Sequence, residues 1–282
     1  LDAVSLYNPE GSGLGIFFRK KGTRVFAFPG IPSEYMAMAE KEILSTLVHQ
    51  GYWTRIHVTG WAESILKDKL EQFTSNRDLH ISILPSVNLI EIVLRGEENT
   101  VRTAETKIRT DLAEDVLPHG ILSLPEALFS EALRSFNTFS FAESCTGGLL
   151  GATLTDIAGV SAVFRGSAVC YSNESKNSIL NVPQEVISVH GAVSEECALA
   201  MAQGARERFL TDYSLSVTGI AGPDGGSRDK PVGTVWIGVC SSGKARAEEF
   251  LFSGTREMIR KRALFKGVEI LWRCIKGDDS WI

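Results

Sequence analysis

Four glycines fall within the eight residues Gly219 to Gly226 of Thr218-Gly219-Ile220-Ala221-Gly222-Pro223-Asp224-Gly225-Gly226, directly after a strand-like run. Glycine costs chain entropy on folding, so such density marks backbone that must turn tightly or approach something closely. A second cluster, Glu143-Ser144-Cys145-Thr146-Gly147-Gly148, also leaves a strand-like run, and it leads into a helical pattern. Glycine loops that leave strands in this way point to an α/β domain. In open α/β sheets, ligands bind outside the carboxyl ends of the strands. Two such loops meeting at one sheet end favour a phosphate or nucleotide site. The glycines alone do not name a reaction.

The pattern around these loops predicts strands near 138–142, 166–171, 213–218, 233–240 and 246–252. The last two form a hairpin around Ser242-Gly243-Lys244. Ser123-Leu124-Pro125-Glu126 has the spacing of a capping box and opens a helix with Leu128, Ala132, Leu133 and Phe136 on its apolar face. A long helix closes the chain from about Thr255 to Ile275. The expected fold is a three-layer α/β/α domain with a mixed sheet over 121–282.

Two stretches precede it. Residues 51–120 read as a small α+β module: a strand over Trp53–Val58, a helix over Glu63–Phe73, strands over His80–Leu84 and Asn88–Leu94, and a polar helix from Glu98 to about Glu114. Residues 1–50 hold two aromatic-rich runs joined at Lys20-Lys21-Gly22-Thr23, which reads as a hairpin. A helix follows, capped by Ser33 and continuing through Met36, Met38, Ile43 and Leu47. A hairpin and one helix bury too little to stand alone, so these residues are expected to pack on a neighbour.

The whole chain has 282 residues, 44% of them hydrophobic and 22% charged, which excludes intrinsic disorder. No run approaches the ~18 apolar residues of a spanning helix, so no membrane partner is expected. The net charge is −5, from 29 basic and 34 acidic residues, which argues against non-specific nucleic-acid binding. The five cysteines are scattered without a CxxC pair and read as reduced thiols of a cytoplasmic protein. The N-terminus lacks both the pattern of a signal peptide and an initiator Met. The expectation is a chain processed, or cut from something longer.

Three groups of residues carry candidate chemistry. Ser144, Thr146, Gly147 and neighbouring backbone N–H groups suit an anion at a helix start, or simply a tight turn. Thr218, Gly219 and Gly222 belong to the second loop. Ser161, Tyr171 and Lys176 form the third group. A lysine in the first helical turn faces the positive end of the macrodipole, which lowers its pKa and favours a neutral amine. A hydroxyl nucleophile needs such a base. The alternative is an N-cap serine beside a solvated lysine. Arg256 either faces an anion or is plain surface charge. No HExxH, DxDxD or GxSxG occurs, and only His190 of the five histidines lies in the third stretch, so no metal is assigned.

Ala142 to Gly148, Tyr171-Ser172-Asn173, Gly191-Ala192-Val193-Ser194, Thr218 to Gly226 and Lys230-Pro231-Val232-Gly233-Thr234-Val235 together closely resemble the CinA family of competence/damage-inducible proteins. The resemblance covers about 120 to the C-terminus. It implies a nicotinamide mononucleotide deamidase that releases ammonia and nicotinic acid mononucleotide, with no cofactor. It implies Ser161 as nucleophile and Lys176 as general base. Ser144, Tyr171, Thr218 and Arg256 are the implied supporting residues, with the glycine loops holding the ribose phosphate. The N-terminal stretches resemble the end of a molybdopterin-binding-like domain and a KH-like module. No GxxG loop appears between 52 and 120, so RNA is disfavoured as a partner. A homodimer is expected. The competing readings are a nucleotide- or partner-binding module tied to competence or DNA damage, and an ADP-ribose pyrophosphatase. The second is disfavoured because little of its domain is present.

Overall fold

The computed structural model describes residues 3–44, 51–74 and 78–277. The chain divides into two compact units, Leu1–Tyr52 and Trp53–Ile282. In the first unit, β1 (Val4–Leu6), β2 (Gly15–Lys20) and β3 (Thr23–Ala27) form an antiparallel sheet, with the hairpin turn at Lys21-Gly22. The sequence pattern does not mark β1. The helix α1 (Pro32–Glu42) is not capped by Ser33. Its N-cap is Ile31, with no side-chain cap. Pro32 at the first helical position sets the helical φ and lacks the N–H that a cap would satisfy. Met38 is fully buried against Gly15 of β2, while Tyr7, Leu14, Ile31 and Met36 remain exposed. Leu47 lies outside the described residues.

In the second unit, β4 (Tyr52–Val58), β5 (Leu79–Ser86) and β6 (Leu89–Gly96) form a sheet in the order β4-β6-β5. Alongside it lie the helices α2 (Glu63–Thr74) and α3 (Glu98–Leu112). The expected boundary near 120 falls inside this compact unit. Three contacts cross it. Arg273 Nη2 donates to Asp115 at 2.8 Å, Asn88 Nδ2 donates to Glu269 at 2.8 Å, and Lys276 Nζ donates to Glu114 at 2.8 Å.

The remaining elements are α4 (Leu124–Arg134), β7 (Phe139–Glu143), α5 (Leu149–Thr155), β8 (Phe164–Val169), α6 (Asn173–Leu180) and α7 (Gln184–His190). They continue with α8 (Glu195–Phe209), β9 (Tyr213–Gly219), β10 (Thr234–Ser241), β11 (Lys244–Leu251) and α9 (Arg256–Lys276). Each strand lies within about two residues of its expected span. The sheet order is β11-β10-β9-β7-β8. Strand β7 runs parallel to both β8 and β9, and β10 and β11 are antiparallel additions, so the sheet is mixed.

Strand alternation sorts the two faces. Phe139, Phe141, Leu215, Val217, Val235, Ile237 and Val239 meet α4 and α9, where Val268, Leu271 and Trp272 are fully buried. Full burial of such a side chain contributes ~1.5–3 kcal/mol. The opposite face is lined by small residues: Ser140, Ala142, Ser214, Ser216 and Gly238. This lets α8 approach closely, and Ser214 Oγ and Ser216 Oγ each donate to α8 carbonyls at 2.6 Å. The result is helix, sheet, helix. Among the described residues, no helix is long and apolar enough to cross a membrane.

Candidate functional site

Because β7, β8 and β9 are parallel, Glu143, Val169 and Gly219 end at one edge of the sheet. The loops that follow them enclose a cavity of about 240 Å³. Its wall holds Ser144 and Cys145 after β7, Tyr171, Asn173 and Lys176 after β8, and Thr218, Gly219 and Ala221 around the end of β9. Ala192, Val193 and Arg256 complete it. The volume of about 240 Å³ lies just below the usual ligand-pocket range of about 300–1,000 Å³, enough for a ring-sized group.

The loop after β7 is fixed from below. The Glu143 carboxylate is fully buried and accepts N–H bonds from Gly148 at 2.9 Å, Leu150 at 3.0 Å and Gly151 at 2.9 Å, with Ser167 Oγ at 2.6 Å. It thereby takes up the orphan donors at the start of α5, and its charge suits that helix end. Gly147 and Gly148 have φ of +60 and +93, backbone that only glycine adopts freely. From above, Arg260 of α9 donates to the carbonyls of Cys145 and Thr146. Thr146 is buried behind the wall, and its hydroxyl has no partner among the described residues. The loop is thus held rigid around Ser144.

Lys176 arrives from the other side. A reciprocal capping box between Ser172 and Ser175 fixes the start of α6. The lysine side chain then runs inward and is 1% exposed. Its Nζ lies 3.1 Å from Ser144 Oγ, 3.0 Å from Cys170 O and 3.4 Å from Tyr171 O. It pairs with no carboxylate among the described residues. Burial therefore pushes the amine below the ordinary lysine range, against a smaller upward pull from the cysteines around it. The sequence predicts this lowering from the helix dipole; in the structure, desolvation is the largest cause. Cys145 shares the cavity, but burial pushes its thiol up to about 12, which removes it as a nucleophile near neutral pH.

Arg256, the first residue of α9, stands at the rim. Its Nη1 donates to Gly222 O at 2.6 Å and its Nη2 to the Tyr171 hydroxyl at 2.9 Å. No carboxylate neutralises it among the described residues. Thr218 Oγ1 donates to Ala192 O at 2.7 Å and so joins two walls of the cavity. At Gly219, a Cβ would come within 2.7 Å of Thr234 O, which explains that glycine by close packing.

Of the ten expected site residues, Ser144, Tyr171, Lys176, Thr218, Gly219 and Arg256 line one cavity. Thr146, Gly147 and Gly222 shape the loops around it. Ser161 is separated from them. It sits in a short 3-10 turn, Val160–Ala162, before β8, whereas Tyr171 and Lys176 follow that strand. Six strand residues span roughly 20 Å, so within one chain Ser161 and Lys176 stand at opposite ends of the sheet. Ser161 does not cap the turn either; Gly159 holds the cap position. Sequence reasoning missed Cys145, Asn173, Ala192, Val193 and Ala221 as wall residues. Asn173 was open to discovery, because its i,i+3 spacing from Lys176 puts both on one helix face. Among the described residues, no three His, Cys, Asp or Glu side chains gather as a metal site would require.

Fold and cavity together define a three-layer α/β/α domain with a small, cation-rimmed site at the carboxyl edge of its parallel strands. Residues 122–275 match the family model described as "CinA C-terminal domain". The chain is 37% identical over 280 residues to a CinA-like protein of Fervidobacterium nodosum, covering 97% of this chain and 69% of that protein. It is 34% identical to a putative competence-damage inducible protein of Halothermothrix orenii, with 97% and 69% covered, respectively. Against a CinA-like protein of Prochlorococcus marinus it spans 64% of the relative's length. Among solved structures, it resembles the competence/damage inducible protein CihA of Agrobacterium tumefaciens. The TM-score is 0.53 at 37% identity, over 54% of this chain and 93% of that one. It also resembles the competence damage-inducible protein A of Klebsiella pneumoniae, with TM-score 0.52 at 32% identity, over 55% and 99%. This chain belongs to the CinA family.

Proposed function

We propose that this chain is an amidohydrolase that removes the carboxamide nitrogen of nicotinamide mononucleotide as ammonia, through Ser144 and Lys176. The observation that carries the reading is the buried Lys176 amine at 3.1 Å from Ser144 Oγ, without a carboxylate to hold it charged. A neutral amine at that distance is a base for the hydroxyl. The role given to Ser161 by resemblance thus passes to Ser144, the serine within reach.

Ser144 Oγ attacks the carboxamide carbon while its proton passes to Lys176 Nζ. The tetrahedral intermediate collapses, Lys176 returns the proton to the departing nitrogen, and ammonia leaves an acyl ester on Ser144. Water then attacks the ester with Lys176 again taking the proton, and as the intermediate collapses Lys176 returns that proton to Ser144 Oγ, which releases the free acid. The Cys145 N–H lies in the wall beside the nucleophile, has no carbonyl partner among the described residues, and is the natural donor to the oxyanion. The cavity admits the pyridine ring. The phosphate meets Arg256 at the rim, beside the N-terminus of the long helix α9.

Ammonia release from nicotinamide mononucleotide, measured with a chelator present, tests the assignment. Wild type and Ser161→Ala are expected to turn over, and Ser144→Ala and Lys176→Met to lose about 10²–10⁴-fold in kcat. Loss in Ser161→Ala with retention in Ser144→Ala would reverse the choice of nucleophile. A folded wild type that releases no ammonia would end the amidase reading.

A further inference from the structure

The connection from β9 to β10, residues 220–233, is closed at its base. The Ile220 N–H donates to Thr234 O at 2.8 Å, and the Gly233 N–H to Ile220 O at 2.7 Å. Pro223 to Asp229, the outer part of this loop, is exposed throughout. Near its far end the backbone closes again on itself. The Ser227 N–H donates to Lys230 O at 2.9 Å, and the Lys230 N–H to Ser227 Oγ at 3.0 Å. That turn aims one side chain away from the loop. Lys230 Nζ donates to Val193 O at 2.6 Å and to His190 O at 3.0 Å.

These two carbonyls belong to the turn between α7 and α8. Val193 and its neighbour Ala192 are wall residues of the cavity, and Ala192 O already accepts the Thr218 hydroxyl. The wall is therefore held twice, once from β9 beneath it and once from the exposed loop beside it. His190 ends α7, so the lysine charge also meets carbonyls at the negative end of a helix.

We propose that Lys230 is a positioning residue that straps the 220–233 loop to the Ala192-Val193 wall and so sets the shape of the substrate cavity. The role deepens the amidase reading and rests on it for its kinetic consequence; the strap itself does not. Lys230 touches neither Ser144 nor Lys176. Releasing it loosens the wall that receives the ligand and leaves the reacting pair in place. Substrate binding weakens and the chemical step is preserved.

The test uses the full chain with Lys230→Met and Lys230→Arg. With nicotinamide mononucleotide, Lys230→Met is expected to raise KM about tenfold, the scale of losing hydrogen bonds from a charged group, with kcat within about twofold. Lys230→Arg, which restores a cationic donor, is expected to recover part of the loss. A second readout needs no turnover. Trypsin has a site after exposed Arg228 but none after residue 230, because Pro231 follows it. Nicking after Arg228 is expected to become about tenfold faster in Lys230→Met, as a loop held by hydrogen bonds opens locally when they are removed. Unchanged nicking overturns the strap. Faster nicking with unchanged KM keeps the strap and overturns its role at the cavity. A fall in kcat equal to the rise in KM marks a general structural lesion and overturns the proposal. If wild type releases no ammonia, the amidase reading fails, and the nicking comparison still decides the strap.

Discussion

Lys176 Nζ and Ser144 Oγ stand 3.1 Å apart although 32 positions separate them in the chain. Parallel pairing of β7 with β8 makes the meeting possible. It sends the loop after each strand to the same edge, one carrying Ser144 and the other leading into α6 and Lys176. Lys176 meets two backbone carbonyls and a hydroxyl there, and no acid among the described residues. An ammonium in such a place is poorly solvated and readily gives up its proton.

A pH profile of turnover follows. The working base is the neutral amine, so kcat/KM should be low where Lys176 is protonated and rise as pH climbs through its depressed pKa. The expected shape is an ascending limb whose midpoint lies below the ordinary lysine value of 10.5. Initial rates of ammonia release between pH 6 and pH 10 would show it. A rate that falls as pH rises over that interval would remove Lys176 from the role of base.

The same burial predicts a stability signature. Folding lowers the Lys176 pKa, so in the window between its folded value and 10.5 the unfolded chain binds more protons. Stability then increases with pH across that window, because the native state no longer has to hold a desolvated charge. Lys176→Met has no such group. Urea unfolding of both proteins at several pH values should show wild type gaining on the variant as pH rises towards 10.5. A constant difference would mean that Lys176 keeps its ordinary pKa in the fold.

Much of this architecture was legible in the residues. The hydrophobic runs located every strand of the large sheet, and the glycine clusters marked where strands end. Thr255, expected near the start of the last helix, accepts the Met258 N–H and caps it. The Ser144–Lys176 pair was harder to read. Ser161 and Lys176 are close in sequence, but β8 lies between them and carries the chain across the whole sheet. Ser144 is farther away in sequence and returns through parallel pairing, a tertiary fact that local spacing does not encode. Proline at the first helical position displaced Ser33 from a cap for a local reason. Lys230 had been noted only within a resembling motif, because the partners of its ammonium are backbone carbonyls, which no side-chain pattern announces.

Arg256 makes the substrate class testable. Its guanidinium is uncompensated by any carboxylate among the described residues and faces the mouth of the cavity. Removing a phosphate contact of this kind costs about 1.5–3 kcal/mol, a rise in KM on the order of tenfold to a hundredfold. Arg256→Ala should show that rise with nicotinamide mononucleotide and almost none with nicotinamide riboside, which lacks the phosphate. Equal losses on both compounds would place Arg256 in cavity architecture, through Gly222 and Tyr171, and not in phosphate recognition.

Glu143 has the surroundings of a structural carboxylate, although it directly precedes Ser144, the proposed nucleophile. Its oxygens accept three backbone N–H groups and the Ser167 hydroxyl, all inside the protein. Glu143→Ala leaves these donors without a partner. Each stranded donor costs about 1–3 kcal/mol, so even partial relaxation predicts a loss of several kcal/mol and a clear drop in Tm. Glu143→Gln keeps one carbonyl oxygen but loses the charge that suits the helix start, and it should fall between the alanine variant and wild type. Thermal unfolding of the three proteins gives the order, and activity measured well below each Tm gives the role. Glutamine should retain substantial turnover, because Ser144 and Lys176 stay in register. A glutamine variant with wild-type Tm and abolished kcat would instead make the Glu143 carboxylate part of the reaction.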